Sequence, residues 1–303
     1  MSQNLSVVLS VYNAMPYLSE AVESILRQTY EDFSLIIIND GSTDGSLEHL
    51  RSLEDPRIVL IDQENMGLGF SLNVGLRLCK SKYVARMDAD DVSLPGRFAA
   101  QIEFLEANPN IVMVGTQVEF LIRNRVQKAL RVPTNHDDIR SRLFVGRAGL
   151  CHPSVMFRTG AAIACGGYPV GIIGEDIDFF LRMCEQGTVA NLDQALLRYR
   201  LHVGQLSQTK CRELVSANRY AGYCARCRHR GLPPQSFHEF LRDSSLINRW
   251  RRDAEAWELL QYRTGRIQLT SGKPIEGTLR LALLGICRPF RTIRRVIQTF
   301  GAA

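Results

Sequence analysis

The chain has 303 residues, 45% of them hydrophobic, and a formal net charge of +6; this length and apolar content suit one sizeable α/β core and exclude disordered and fibrous classes. The charge is uneven: residues 1–210 hold 20 of the 37 Lys and Arg and 24 of the 31 Asp and Glu, leaving 17 against 7 for residues 211–303. No apolar run approaches the roughly 20 residues a membrane-spanning helix needs, the best being the interrupted stretch from Leu279 to Cys287, so the chain is not expected to cross a bilayer.

Through the first 110 residues, short apolar runs (5–11, 33–39, 57–62, 83–87) alternate with longer amphipathic ones (16–28, 46–53, 71–79), which predicts strand, helix, strand, helix in succession. Val7-Val8-Leu9 and Leu35-Ile36-Ile37-Ile38 do not alternate polar with apolar, as expected for strands covered on both faces of a parallel sheet. Sites in such sheets gather at the carboxyl ends of strands. Ser10, Tyr12 and Asn13 follow the first strand, Asp40 the second, and residues 88–91 the fourth.

From about residue 111 the pattern is mixed, with strand-like runs at 111–120, 154–157 and 194–199 and a helix over 177–186 that ends near Gly187. After Lys210 come Arg-rich helices, punctuated by Gly231-Leu232-Pro233-Pro234, Ser271-Gly272-Lys273-Pro274 and Pro289. Ser236 followed by Glu239 predicts a capping box. The expected plan is a catalytic domain over 1–210, with a nucleotide-binding half at 1–110 and an acceptor half at 111–210, then a basic helical extension over 211–303.

Met87-Asp88-Ala89-Asp90-Asp91 crowds three carboxylates at the end of a buried strand, where their mutual repulsion calls for a cation. Hard oxygen ligands favour Mg2+ or Mn2+, ions that also bind substrate phosphates. Asp91 is expected to cap the helix that Pro95 helps to start, leaving Asp88 and Asp90 as ligands. His202, in a Gly204-containing stretch, is a candidate to complete the metal shell or contact a diphosphate, though a lone surface histidine is the commoner case.

Asp40 opens the polar loop Asp40-Gly41-Ser42-Thr43-Asp44-Gly45, where a carboxylate accepts a hydrogen bond from the imide N–H of a uracil or from a guanine; alone it reads equally as a turn aspartate. Asp44 is expected to cap a helix. The ring of Tyr12 suits base stacking, beside Asn13 and the hydroxyl of Ser10. Asn65-Met66-Gly67-Leu68-Gly69 offers backbone to phosphates, but position 72 is Leu, so the third glycine of a dinucleotide fingerprint is absent.

Glu175 and Asp176 occupy the first turn of an amphipathic helix, where the helix dipole favours acidic residues and where an acceptor hydroxyl could find a base. His152-Pro153-Ser154 stays ambiguous. Cys224-Ala225-Arg226-Cys227 with His229 has zinc-knuckle spacing but lacks a second pair and reads as helix. With no n-region or h-region of a signal peptide before the first strand, the eight cysteines are expected as free thiols in a reducing cytoplasm.

Taken in order and spacing, Ser6-Val7-Val8-Leu9-Ser10-Val11-Tyr12-Asn13, Asn39-Asp40-Gly41-Ser42-Thr43-Asp44, Met87-Asp88-Ala89-Asp90-Asp91 and Gly174-Glu175-Asp176 resemble family 2 glycosyltransferases of the GT-A fold. The resemblance covers about residues 4–208, and the wording around residues 86–91 and 152–157 is similar to the bacterial exopolysaccharide and O-antigen branch. It implies an α/β fold with a mostly parallel sheet flanked by helices, and inverting transfer from a nucleoside-diphosphate sugar, UDP-linked first among them, to a glycan or lipid-linked acceptor. It further implies that Ser10, Tyr12 and Asp40 hold the nucleoside, Asp88 meets ribose or diphosphate, Asp90 ligates Mn2+ or Mg2+, Asp176 is the general base and Glu175 orients the acceptor.

Leu279, Ala282, Leu283, Ile286, Phe290, Ile293, Ile297 and Phe300 recur at helical spacing with Arg280, Arg288, Arg291, Arg294 and Arg295 among them. Such a helix suits peripheral attachment to the anionic inner face of the plasma membrane, or packing on the catalytic domain. Nucleic acid is not expected as a partner, since no regularly interleaved aromatics accompany the arginines. The rival functions are a haloacid-dehalogenase-type phosphatase, whose nucleophile loop belongs after the first strand rather than the fourth, and a non-catalytic nucleotide-sugar-binding or scaffold protein.

Overall fold

The non-alternating apolar runs form the middle of one mixed sheet in the computed structural model, which describes residues 4–129, 131–202, 204–242, 245–270 and 273–287. The first half alternates β1 (Leu5–Val11), α1 (Leu18–Leu26), β2 (Phe33–Asp40), α2 (Ser46–Arg51), β3 (Ile58–Gln63), α3 (Leu68–Leu78) and β4 (Tyr83–Asp88). The second half holds β5 (Val92–Ser93), α4 (Arg97–Ala107), β6 (Ile111–Ile122), β7 (Arg125–Lys128), α5 (His136–Phe144), a 3-10 turn (His152–Ser154), β8 (Met156–Arg158), α6 (Thr159–Ala164), α7 (Glu175–Gln186) and β9 (Thr188–Arg200). Helices α8 (Leu206–Thr209), α9 (Cys211–His229), α10 (Phe237–Arg242), α11 (Leu246–Thr270) and α12 (Pro274–Cys287) follow.

The sheet order is β3-β2-β1-β4-β8-β6-β9-β5, with β7 paired to β6. Strands β1 to β4 pair in parallel, β8 runs antiparallel between β4 and β6, and β6 and β9 are parallel. Because side chains alternate across a strand, both faces of β1 and β2 must be covered to bury every residue of such a run. Val8, Ile36 and Ile38 pack with Leu72 and Leu76 of α3. Val7, Leu9, Leu35 and Ile37 pack on the other face with Leu18, Val22 and Ile25 of α1 and Phe98 of α4. Each such fully buried side chain contributes about 1.5–3 kcal/mol.

Register decides where the strands end. Ser10 pairs with Asp88 across β1–β4 and Asp40 with Gln63 across β2–β3, so the carboxyl ends form one rim. The strand expected at 194–199 begins earlier, at Thr188, because β9 pairs along β6 and the buried Asn191 satisfies its amide on the carbonyls of Pro133 and Gly149. The helix expected from 71 starts at Leu68, after Gly67 in a left-handed conformation at φ 86°.

The helices after Lys210 dock on the second half of the sheet domain. Arg228 of α9 pairs with Asp178 of α7 at 3.3 Å and Arg266 of α11 donates to the carbonyl of Lys128 at 3.0 Å, while within the extension Arg219 of α9 pairs with Glu255 of α11 at 2.7 Å. Ser236 and Glu239 form the expected capping box, N–H to carboxylate at 2.9 Å and N–H to hydroxyl at 3.3 Å. Cys224 and Cys227 are buried on α9, and the seven cysteines described are free thiols. In α12, Leu284 is buried while Ile275, Leu279 and Leu283 are exposed; Arg288, Phe290, Arg291, Ile293, Arg294, Arg295, Ile297 and Phe300 lie outside the described residues. No helix among the described residues is long and apolar enough to cross a membrane.

Candidate active site

Asp88 ends β4 and forms an ion pair with Arg86, whose guanidinium is buried. Asp88, Asp90 and Asp91 each offer a carboxylate oxygen within 4.8 Å of one another, the one group among the described residues that could hold a metal ion. Burial pushes the Asp88 carboxyl up, Arg86 opposes it, and the charge of Asp90 adds to it. Asp91 is fully buried, and burial plus the charges of Asp90 and Asp88 hold its carboxyl well above the usual range.

Asp91 corrects an expectation. It does not cap α4, which starts after Gly96 without any side-chain cap. The two residues of β5 intervene and pair with β9, which carries Asp91 beneath Arg200, whose backbone N–H donates to Asp91 Oδ1 at 2.8 Å. Asp91 Oδ2 is buried without a hydrogen-bond partner among the described residues. An orphaned carboxylate oxygen beside two further carboxylates and an imidazole suits a hard divalent cation.

The end of β9 clamps this loop from the other half of the sheet. His202 Nε2 lies 3.0 Å from Asp90 Oδ2 and Gln205 Nε2 lies 3.3 Å from the same oxygen. Arg200 donates from Nε to the carbonyl of Asp90 at 2.7 Å, pairs with Glu20, and lies 4.7 Å over the ring of Tyr17, itself 4.8 Å from the His202 ring. Sequence reasoning finds His202 but misses Arg200, Gln205, Glu20 and Tyr17. The only hint was the proximity of Arg200 to His202 in the chain.

On the other side of the rim, Asp40 is buried and accepts from Gln63 Nε2 at 2.8 Å and from the backbone N–H groups of Met66 and Gly67, both at 2.9 Å. It therefore anchors the loop carrying Asn65 and Gly67. Asn13, at φ 49°, accepts from Thr43 N–H at 2.7 Å, so its amide oxygen braces two loops against each other. Asp44, expected as a helix cap, lies one residue before the N-cap of α2, which is Gly45 without a side-chain cap; its carboxylate accepts from Ser46 N–H at 3.1 Å and from Met15 N–H at 2.9 Å. Tyr12 is 55% exposed, which leaves a ring face open to stack.

Glu175 and Asp176 open α7, where Gly174 sits in the left-handed region at φ 82° and a Cβ would meet Asn218 Oδ1 at 2.6 Å. Glu175 is buried, its Oε1 3.7 Å from Nδ1 of the buried His152, whose Nε2 lies 3.2 Å from the Tyr168 hydroxyl. Burial, with the charge of Asp176, pushes the Glu175 carboxyl up to about 7 while Arg86 opposes the shift. Burial also raises Asp176, against the N–H of Ile177 at 2.9 Å and the charge of Arg86. Both carboxyls feel Asp88 and Arg86, so the two acidic sets share one field. The glycine loop closes in as well: a Cβ on Gly69 would sit 2.2 Å from the Pro169 carbonyl and 3.7 Å from Glu175 Cβ.

Comparison with known proteins agrees with this geometry. Residues 6–166 match Glycosyl transferase family 2. The chain is similar to an O-antigen biosynthesis glycosyltransferase of Escherichia coli, 35% identical over 206 residues, 65% of this chain and 80% of that one. It is also similar to an amylovoran biosynthesis glycosyltransferase of Erwinia amylovora, 32% identical over 201 residues, 64% of this chain and 75% of that one. Among solved structures, a mannosyltransferase from Pyrobaculum calidifontis in complex with GDP-Man and Mn2+ superposes with a TM-score of 0.58 at 16% identity, covering 98% of this chain and 84% of that one. S. aureus TarS 1–349 in complex with UDP-GlcNAc gives 0.58 at 15% identity, covering 95% and 92%. The fold is GT-A, as the resemblance to family 2 glycosyltransferases implies.

Proposed function

The chain belongs to glycosyl transferase family 2, and from that premise we propose that it moves a sugar from a nucleoside-diphosphate donor, UDP-linked first among them, to an acceptor hydroxyl of a growing or lipid-linked cell-surface glycan, inverting the anomeric centre. The observation that carries this reading is the cluster of Asp88, Asp90 and Asp91 at the end of β4, with carboxylate oxygens within 4.8 Å of one another and Arg86 paired to Asp88, together with Glu175 and Asp176 at the start of α7. The relatives in O-antigen and amylovoran biosynthesis support a polysaccharide product.

In this mechanism Tyr12 stacks on the base, Ser10 and Asp40 hold the nucleoside, and the backbone of Asn65 and Gly67 approaches the phosphates. Asp90, Asp88 and His202 would hold Mn2+ or Mg2+, with Asp91 beside them. When bound, such a cation neutralises charge on the leaving diphosphate. Asp176 takes the acceptor proton as the acceptor oxygen attacks the anomeric carbon and the bond to the diphosphate oxygen breaks, while Glu175 orients the acceptor. A carboxyl raised by burial is a stronger base than one in water, and the pH optimum must lie where it is ionised.

The domain plan follows the same reading: residues 1–210 carry the chemistry, and of the extension over 211–303 the described helices α9 and α11 brace the acceptor half. The exposed Ile275, Leu279 and Leu283 of α12 suit a peripheral contact with the inner membrane face. Flotation with anionic vesicles tests it, and a protein left wholly at the bottom of the gradient removes it. A phosphatase is disfavoured because the acidic loop follows β4 rather than β1.

A thermal-shift panel of UDP-, GDP- and dTDP-sugars, each with and without Mn2+, tests the whole proposal, since stabilisation by a ligand grows with its concentration over its dissociation constant. Metal-dependent stabilisation by at least one sugar nucleotide is expected. No shift from any of them would remove the donor assignment.

A further inference from the structure

The guanidinium of Arg86 makes one ion pair, from Nη2 to Asp88, while its Nε and Nη1 are buried and have no hydrogen-bond partner among the described residues. Beside it lies a cavity of about 10 Å³, lined also by Tyr168 and by the apolar side chains of Val8, Leu72, Leu76 and Phe157, a size at the margin for one water molecule. Tyr168 continues to His152 at 3.2 Å, and His152 to Glu175 at 3.7 Å. The last gap exceeds a hydrogen bond by about 0.5 Å, as is common in sites that tighten on their substrate.

We propose that Arg86, one water in this cavity, Tyr168 and His152 form a polarised hydrogen-bonded chain that positions the Glu175 carboxylate and ties it to Asp88. Its direction is set by its ends, because a guanidinium only donates and an ionised carboxylate only accepts. The water accepts from one of the two unpartnered N–H groups of Arg86, Nε–H or Nη1–H, which point to different sides of the guanidinium, and donates to the Tyr168 oxygen. Tyr168 O–H donates to His152 Nε2, which leaves the imidazole proton on Nδ1, aimed at Glu175 Oε1. Burial and the charge of Arg86 hold His152 neutral, as this requires. The stacking of Tyr168 on Phe179 at 4.1 Å and the edge contact of His152 with Phe180 at 5.6 Å fix both rings in place. The functional meaning of the chain rests on Glu175 orienting the acceptor; the chain itself does not.

Histidine tautomers in the full chain, labelled with 15N at histidine and assigned with His152→Gln, decide the matter. The wild type is expected to show neutral His152 protonated at Nδ1 at pH 8, where Glu175 is ionised and can only accept. Tyr168→Phe keeps the stacked ring and removes only the hydroxyl, and it should shift the unprotonated Nε2 resonance downfield as that nitrogen loses its donor, while Nδ1 keeps its proton and UDP binding in Mn2+ stays within twofold. A wild-type His152 protonated at Nε2, or a folded Tyr168→Phe protein with an unchanged Nε2 resonance, would overturn the chain. So would loss of UDP binding in that folded variant, which would put Tyr168 in the donor site instead. The wild-type spectrum suffices if the variant does not fold. Should Glu175→Gln transfer sugar at the wild-type rate, the role given to Glu175 falls, and the tautomer result still decides the chain.

Discussion

The acidic groups on the two sides of the site are alike in chemistry and differ in how they are held. Asp88, Asp90 and Asp91 come from the end of β4 and the turn after it, are met by Arg86, His202, Gln205 and the backbone of Arg200, and keep one buried oxygen, Asp91 Oδ2, without a partner among the described residues. Glu175 and Asp176 come from a helix N-terminus, and the nearest basic side chain to Glu175 is a neutral imidazole at 3.7 Å. Crowded carboxylates with oxygens to spare are relieved by a cation, whereas buried carboxyls that lack a close cation hold their protons more tightly. The first arrangement suits metal and diphosphate, the second proton transfer.

Four experiments would break or sharpen that contrast. Asp176→Asn should lower transfer by roughly 10³-fold, within the range general-base loss produces, while donor binding in a thermal-shift assay stays near wild type; an equal loss of donor binding would erase the distinction between the two sides. Asp90→Asn should do the reverse, weakening Mn2+-dependent UDP binding by about 100-fold with little effect in EDTA, where wild type and variant should coincide. Arg200→Lys keeps a cation near Glu20 but loses the geometry that holds the Asp90 carbonyl, and calorimetry should show metal-dependent UDP affinity falling by about tenfold.

The smallest effect is a change in stability with pH. The Glu175 carboxyl is raised in the fold to about 7 from an ordinary value of 4.5, so the folded chain keeps a proton that the unfolded chain has lost. Its stabilising contribution is whole below pH 4.5 and is lost as pH rises through about 7. Glu175→Gln, which never ionises, should therefore raise the melting temperature by about 2 °C at pH 8 and have little effect at pH 5. A gain of equal size at both values would mean that ionisation of Glu175 carries no cost in the fold.

Much of this site was legible in the chain. The ends of β1, β2 and β4 fall at Val11, Asp40 and Asp88, within one residue of expectation, because a run of β-branched and aliphatic residues ends where polar residues begin. The Ser236–Glu239 box formed for the same local reason. Asp91 was misread because a helix start was sought nearby, and a two-residue strand that exists only through its pairing with β9 left no trace in composition. Asn13 was expected at the donor, and the structure shows its amide oxygen tied to Thr43, a contact between loops that no pattern within either loop announces.

By itself, then, the order of residues determined the elements, the rim on which they end and the types of side chain placed there, since periodicity and capping act over a few neighbours. Only the tertiary structure decided which of those side chains meet. The bonds from Arg200 and Gln205 to Asp90 and Asp91 span 109 to 115 positions, and they exist because β9 crosses the sheet beside β6 and ends over the turn that follows β4. Burial is the largest cause of the raised Glu175 carboxyl, ahead of the charge of its neighbour Asp176, and that desolvation depends on what the fold packs around the side chain.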